Sequence, residues 1–144
     1  MKKNLLSLFI LLVVIFCFSG KISETKKGNS TKVIKFMNTV NEYPFDYGEK
    51  MFWDNPEEHA IIYDTSFDFL KKVKSFRKSD SKKFKNYNYC FIIPSPSKND
   101  TLYSDFTLKS WIIKKDGIKT YYYDEKGEFA NELRDIYSFF KDCW

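Results

Sequence analysis

The sequence predicts an α+β fold, in which an antiparallel sheet of about three to five strands has helices packed on one face, with a helix first and a helix last. Three observations support this prediction. Apolar residues recur at helical spacing near both ends of the chain. Apolar and polar residues alternate along much of the stretch between residues 87 and 123. Asp116-Gly117 separates two of the alternating runs, and this dipeptide favours a tight hairpin turn.

Two helices are predicted in the first half of the domain. Ser30 is the N-cap of the first, which runs from Thr31 to about Asn41 and carries an apolar stripe: Val33, Phe36, Met37 and Val40. Residues 42–58, with their prolines, glycine and aromatics, predict an irregular loop. Residues 60–63 are either a short strand or the lead-in to the second helix. Asp64 is the N-cap of that helix, which carries a second stripe: Phe67, Leu70, Val73 and Phe76.

Strands and a last helix are predicted in the second half. The strands cover residues 87–93, 102–115 and 118–124, and the last two form the hairpin that turns at Asp116-Gly117. A turn at residues 125–127 leads to a final helix of about 13 residues. Its apolar stripe consists of Phe129, Leu133, Ile136 and Phe140.

The first twenty residues have the pattern of an export signal. Lys2 and Lys3 precede an uncharged apolar run over residues 5–18, and the small residue Ser19 follows. A helix of that length spans about 21 Å, whereas the hydrocarbon core of a bilayer is about 30 Å thick. We therefore predict a signal peptide over residues 1–19 that is cleaved after Ser19, with an uncleaved membrane anchor as the alternative.

Cys17 leaves the form of the signal open. A bacterial lipoprotein signal ends in a small residue directly before the lipid-modified cysteine, but Phe16 occupies that position here. We expect Cys17 to be removed with the signal, and lipidation of Cys17 is the alternative. If the protein comes from a bacterium, either outcome places it in the periplasm, on the outer envelope or outside the cell. Residues 20–29 then form a polar tether, and residues 30–144 form a single domain.

Composition limits the class of protein. The hydrophobic share of 43% and the aromatic share of 19% exclude a disordered chain, and the net charge of +5 favours anionic partners only mildly. If Cys17 is removed, Cys90 and Cys143 remain, and two cysteines in an exported protein predict a disulfide. Two free buried thiols are the alternative.

A basic segment and an aromatic strip are the two candidate binding features. The basic residues form the densest charge run of the chain: Lys71, Lys72, Lys74, Arg77, Lys78, Lys82, Lys83 and Lys85. In an exported protein they predict contact with an anionic partner, either another protein or an envelope component, and not with nucleic acid. A merely solvated surface is the alternative. The hairpin places Trp111, Tyr121 and Tyr123 as a candidate aromatic binding face, unless a second layer covers them.

No residue pattern indicates catalysis, a metal or a cofactor. His59 is the single histidine, and its acidic neighbour Glu58 points away from it on either a helix or a strand, so the two cannot readily chelate one ion. The sequence therefore predicts an exported, envelope-associated binding protein without enzymatic activity, acting on an envelope component or on a protein such as a toxin that it neutralises. Membrane association would run through the N-terminus. The alternative is a small envelope hydrolase whose acidic residues cannot be singled out.

Overall fold

The computed structural model describes residues 30–38, 48–96 and 99–141. Within these ranges the chain forms one sheet of seven strands, each antiparallel to its neighbours. The strands are β1 (Thr31–Phe36), β2 (His59–Asp64), β3 (Arg77–Lys78), β4 (Tyr89–Ile93), β5 (Asp100–Ser104), β6 (Ser110–Lys115) and β7 (Ile118–Tyr123). Their spatial order is β2-β1-β4-β5-β6-β7-β3, so β2 and β3 are the two edges.

Three short α-helices accompany the sheet in the described part of the chain: α1 (Glu49–Asp54), α2 (Phe69–Lys74) and α3 (Glu128–Ile136). Single 3₁₀ turns cover Pro56–Glu58, Ser81–Lys83 and Ser138–Phe140. The predicted fold class is therefore wrong. The sheet has more strands than expected, the first described element is a strand, and α3 is the sole described helix longer than six residues.

Both faces of the sheet are covered. On one side, called the α3 side, α2 and α3 pack on the larger core, which includes Phe69, Phe91, Trp111, Phe129 and Leu133. On the other, called the α1 side, α1 packs on a smaller core that includes Ile34, Phe36, Phe52, Cys90 and Ile112. The prediction of helices on one face fails for this reason.

The predicted first helix is wrong because β1 lies between two strands. Val33 packs on the α3 side, whereas Ile34 and Phe36 pack on the α1 side. Because β1 has apolar residues on both faces, the spacing of Val33 and Phe36 also matches a helix. The β-branched Val33 and Ile34 favour the extended backbone. The C-terminal part of the predicted helix, from residue 39, lies outside the described residues.

The predicted hairpin is confirmed. Lys115 pairs with Ile118, and the turn residues Asp116 and Gly117 both have positive φ, at 50° and 82°. Positive φ at both central positions is the requirement of the type I′ turn that Asp-Gly favours.

The predicted single strand over residues 102–115 is instead two strands, β5 and β6. Asp105 starts the turn between them, because its Oδ1 accepts hydrogen bonds from the N–H of Thr107 at 3.1 Å and from its hydroxyl at 2.6 Å. Leu108 completes the turn with a φ of 58° and is fully buried. A side-chain-stabilised turn therefore interrupts an alternation that looked continuous.

The two remaining helices are shorter than predicted. Asp64 ends β2, and its Oδ2 accepts the N–H groups of Ser66 and Phe67 at 3.0 Å each, so α2 begins only after Asp68. The final helix ends at Ile136, which is exposed, and a 3₁₀ turn carries Phe140 into the core.

Candidate functional site

The basic segment follows α2 to one edge of the sheet. After α2, Arg77 and Lys78 pair with Tyr123 and Tyr122 of β7 and form the two-residue edge strand β3. The N–H of Ser79 donates to the carbonyl of Tyr121 at 3.0 Å and continues the attachment. These main-chain bonds hold the backbone of both cationic residues at the edge of the sheet.

A 3₁₀ turn then brings a third cation back over the same edge. Asp80 caps this turn, since its Oδ1 accepts the N–H of Lys82 at 3.0 Å. The carbonyl of Lys83 accepts the hydroxyl of Ser110 at 2.8 Å. The ammonium of Lys83 lies 4.2 Å from the ring centroid of Tyr123, within cation–π range.

These elements line an open surface cavity of about 280 Å³. We call its lining residues the basic edge: Arg77, Lys78, Ser79, Asp80, Lys83 and Tyr123. Three cations and one carboxylate line this cavity, and that carboxylate already caps a turn. The guanidinium of Arg77 also meets Glu125 at 2.7 Å, but both side chains are exposed, so solvent screens this pair. The basic edge therefore favours an anion.

The structure brings three of the eight predicted basic residues together at this cavity. Lys71, Lys72 and Lys74 lie on α2, where the ammonium of Lys72 is 3.6 Å from Glu132 and 5.2 Å from the ring centroid of Phe129. Lys82 and Lys85 are exposed and outside the lining of the cavity.

The predicted aromatic face is divided between the two sides of the sheet. Trp111 is fully buried on the α3 side, and its indole N–H donates to the carbonyl of Leu108 at 2.8 Å. Tyr121 is half-buried against the α1-side core, and Tyr123 is half-buried at the basic edge. Trp111 therefore contributes packing, and Tyr123 is the one of the three that lines the cavity of the basic edge.

A second charged cluster, which the sequence analysis missed, lies on the α1 side. Lys114 and Lys119 face each other as a cross-strand pair of the hairpin. Glu49 of α1 lies between them, 2.5 Å from the ammonium of Lys114 and 2.8 Å from that of Lys119. The hydroxyl of Tyr103 donates to Glu49 at 2.7 Å and accepts the indole N–H of Trp53 at 3.1 Å.

The pKa values of this cluster move away from neutrality. Burial alone would raise the pKa of Glu49, but hydrogen bonds from Lys114, Lys119 and Tyr103 outweigh it and lower that pKa to about 2. Burial opposes the charged form of Lys119, yet its bonds to Glu49 and Tyr87 raise its pKa. Burial and the bond to Glu49 both raise the pKa of Tyr103. Each group therefore keeps one protonation state over a wide pH range, and the cluster anchors α1 to the sheet.

One sequence signal could have predicted this cluster. Two lysines directly opposite each other in a hairpin destabilise it unless an anion lies between them. The turn at Asp116-Gly117 already places Lys114 opposite Lys119. The missing acid is Glu49, but residues 42–58 were predicted to form an irregular loop, so no position on the sheet was predicted for its side chain.

Cys90 and His59 are both held within the fold. Cys90 is fully buried on the α1 side, and burial raises the pKa of its thiol. Cys17 and Cys143 lie outside the described residues, so lipidation and the disulfide stay predictions. The Nε2 atom of His59 is 2.7 Å from the carbonyl oxygen of Phe52. In the ranges that the structure describes, no three His, Cys, Asp or Glu residues are grouped to hold a metal ion.

Comparisons with family models, with curated proteins and with solved structures found no match to this chain. Among the helices within residues 30–38, 48–96 and 99–141, none is long and apolar enough to cross a membrane.

Proposed function

We propose that this protein is a non-enzymatic binding protein whose basic edge holds an acidic segment of a partner protein. The observation that carries the proposal is the convergence of Arg77, Lys78 and Lys83 with the ring of Tyr123 around one cavity. Side chains that are already held in place lose less conformational entropy when a ligand binds. The contact with the ring of Tyr123 provides that order for Lys83, and main-chain bonds hold the backbone of Arg77 and Lys78.

An acidic protein segment fits the basic edge better than a membrane surface does. Binding at a membrane surface combines basic residues with apolar side chains that insert among the lipids. The exposed large apolar side chains of the described residues are Met37, Trp53, Ile61, Tyr63, Phe106, Ile118 and Ile136, and none of them lines the cavity. Aspartate or glutamate side chains of a partner protein need only positive charge and a concave surface, and the basic edge has both.

The cluster around Glu49 is poorly suited to acid–base catalysis. An efficient catalytic acid or base has a pKa near the working pH. The pKa of Glu49 is lowered to about 2, and those of Lys119 and Tyr103 are raised. These groups support a rigid scaffold and are not prepared to exchange protons at neutral pH.

The proposal is tested by titrating a fluorescein-labelled oligoglutamate peptide with the protein and following its anisotropy. We expect Lys78→Glu/Lys83→Glu to weaken binding about tenfold, or about 1.4 kcal/mol, because each reversal replaces an attraction with a repulsion. Added salt should weaken the binding of the unaltered protein as well.

Lys71→Glu/Lys74→Glu is the matched control, because it changes the net charge equally at exposed positions on α2. It should leave binding nearly unchanged. Equal losses in the two variants would mean that net charge alone attracts the peptide, and the proposal would be wrong. Binding to phosphatidylglycerol vesicles without binding to the peptide would contradict it in favour of a lipid surface.

We also propose that the protein works outside the cytoplasm, on the strength of Lys2, Lys3 and the apolar run at residues 5–18. Mass spectrometry of the protein from its own cells should find a chain that starts at Gly20. A diacylglycerol mass on Cys17 would replace cleavage after Ser19 with lipid anchoring. An intact chain with Met1, dissolved in the cytoplasm, would contradict export.

A further inference from the structure

The free backbone groups of β2 can be assigned from its pairing with β1. The N–H of Met37 donates to the carbonyl of Glu58 at 2.8 Å, and this pair directly extends the register of β1 and β2. In an antiparallel pair, hydrogen-bonded and non-bonded positions alternate. Ala60 and Ile62 therefore bond to β1, whereas the peptide groups of the intervening residues point to the open edge.

These intervening residues are His59, Ile61 and Tyr63. The N–H of His59 is already used, because it donates to the carbonyl of Pro56. Within residues 30–38, 48–96 and 99–141, no backbone group pairs with the carbonyl of His59 or with either peptide group of Ile61 and Tyr63 along this edge. Five main-chain groups in a row form a template for another strand.

The β2 edge lacks the features that usually prevent such pairing. Natural edges are blunted by shortness, by lysine, by proline or by a bulge. The edge strand β3 follows this rule, with two residues that are both basic. The six residues of β2, HAIIYD, include no lysine, arginine or proline, and they pair with β1 without a bulge.

The side chains beside these free groups are apolar and exposed. Ile61 and Tyr63 lie opposite Ile34 and Lys32 of β1, and Ile34 packs on the α1 side, so both side chains point to that side. Ile61 is 45% exposed and Tyr63 is 68% exposed. Trp53 of α1 is exposed nearby and contacts the ring of His59 edge-on at 5.9 Å between centroids. The free backbone and an apolar strip therefore lie side by side.

We infer that a second copy of this chain binds along β2, so that two sheets join into one across a two-fold axis. With the axis at Ile61, the two Ile61 residues exchange both of their main-chain hydrogen bonds. Each Tyr63 N–H donates to the His59 carbonyl of the other copy, which gives four bonds in all. This register places Ile61 against Ile61 and Tyr63 against His59, and both pairings are favourable across strands.

The charge distribution favours a second copy as the occupant. Two molecules with a net positive charge, +5 for the full sequence and +3 once Lys2 and Lys3 are removed, repel each other unless their charged surfaces stay apart. In this register residues 59–63 carry no lysine or arginine, and the basic edge lies at the opposite end of the seven-stranded sheet, six strand spacings or about 29 Å away. The dimer therefore keeps both basic edges at its far ends, free for their partners.

Sedimentation equilibrium over a series of protein concentrations, with reductant present, tests the dimer. We expect the unaltered protein to associate reversibly in the micromolar range, since the interface is small. Ile61→Lys should abolish association, because it places two ammonium groups on the axis. Ile118→Lys is the matched control: Ile118 is 72% exposed in the turn region of the hairpin, and this variant should associate like the unaltered protein.

Hydrogen exchange gives an independent readout. The amides of Ile61 and Tyr63 should become protected as the protein concentration rises, and those of the exposed turn at Asp116 should not. A monomer at all concentrations, or equal association of Ile61→Lys and the unaltered protein, would overturn the inference. Protection of these amides that appears only when a foreign peptide is added, and not when the protein concentration rises, would also overturn the inference. The inference does not depend on the proposed function, because Lys78→Glu/Lys83→Glu should leave the dimer intact.

Discussion

At the scale of single residues, Glu49 connects α1 to the sheet on the α1 side. It neutralises the cross-strand pair of Lys114 and Lys119 and accepts the hydroxyl of Tyr103. A partly buried carboxylate with three donors is held by charge-assisted bonds, which are the stronger class of hydrogen bond. One side chain thus links α1 to both strands of the hairpin and to β5.

We predict that Glu49→Gln lowers the free energy of unfolding by about 2 kcal/mol at pH 7, because it removes charge-assisted bonds and leaves two lysines facing each other. The pKa of Glu49 is lowered in the folded state, from an ordinary 4.5 to about 2. Its stabilising effect is therefore complete above about pH 5 and is lost as the pH falls from about 4.5 towards 2. Urea unfolding at pH 7 and pH 3 measures both effects.

Glu57→Gln is the matched control, since Glu57 is exposed and lies in the same region. Its unfolding free energy should stay within about 0.5 kcal/mol of that of the unaltered protein. If the difference between Glu49→Gln and the unaltered protein were the same at both pH values, the ionic role of Glu49 would be refuted.

Cys90 is expected to resist alkylation in the folded protein. It is fully buried, and burial raises the pKa of its thiol, so the reactive thiolate is scarce. The rate of alkylation is measured with iodoacetamide, in the presence of reductant, before and after unfolding in urea. Mass spectrometry of the peptide that contains Cys90 then detects the modification. Alkylation at the same rate in both states would show that Cys90 is accessible and would contradict the packing of the α1 side.

At the scale of elements, the β6–β7 hairpin depends on its turn. Gly117 has a φ of 82°, where a Cβ atom is strained, although open space surrounds the position. We predict that Gly117→Ala lowers the free energy of unfolding by about 1–2 kcal/mol. Gly48→Ala, at a negative φ and also in open space, should change it by less than about 0.5 kcal/mol in thermal unfolding. Equal effects of the two changes would contradict the assigned turn.

The hairpin was predictable and β1 was not, for a physical reason. A hairpin is specified locally, because Asp116-Gly117 selects the turn and the turn fixes the register. The conformation of β1 depends on β2 and β4, which are distant in sequence and cover both of its edges. The residues Val33, Ile34 and Phe36 fit either a helix or a strand buried on both faces, and tertiary pairing decides between them.

At the scale of the whole molecule, the two edges of the sheet differ in chemistry. β3 is short and basic, whereas β2 is longer, apolar and without cationic residues. This asymmetry underlies the two proposals, anion binding at one edge and self-association at the other. The cationic run was predictable from the sequence. Which three of its members line one cavity with Tyr123 was not, because that grouping depends on the pairing of β3 with β7.

The most direct test of anion binding at the basic edge is an NMR titration of the ¹⁵N-labelled protein with an unlabelled oligoglutamate peptide. We predict that the amide shifts change mainly for residues 77–83 and for Tyr123, and that they saturate together. The amides of Lys71 and Lys74 on α2 serve as the internal comparison. Changes centred on α2, or scattered over all lysines without saturation, would contradict a defined anion site at this edge of the sheet.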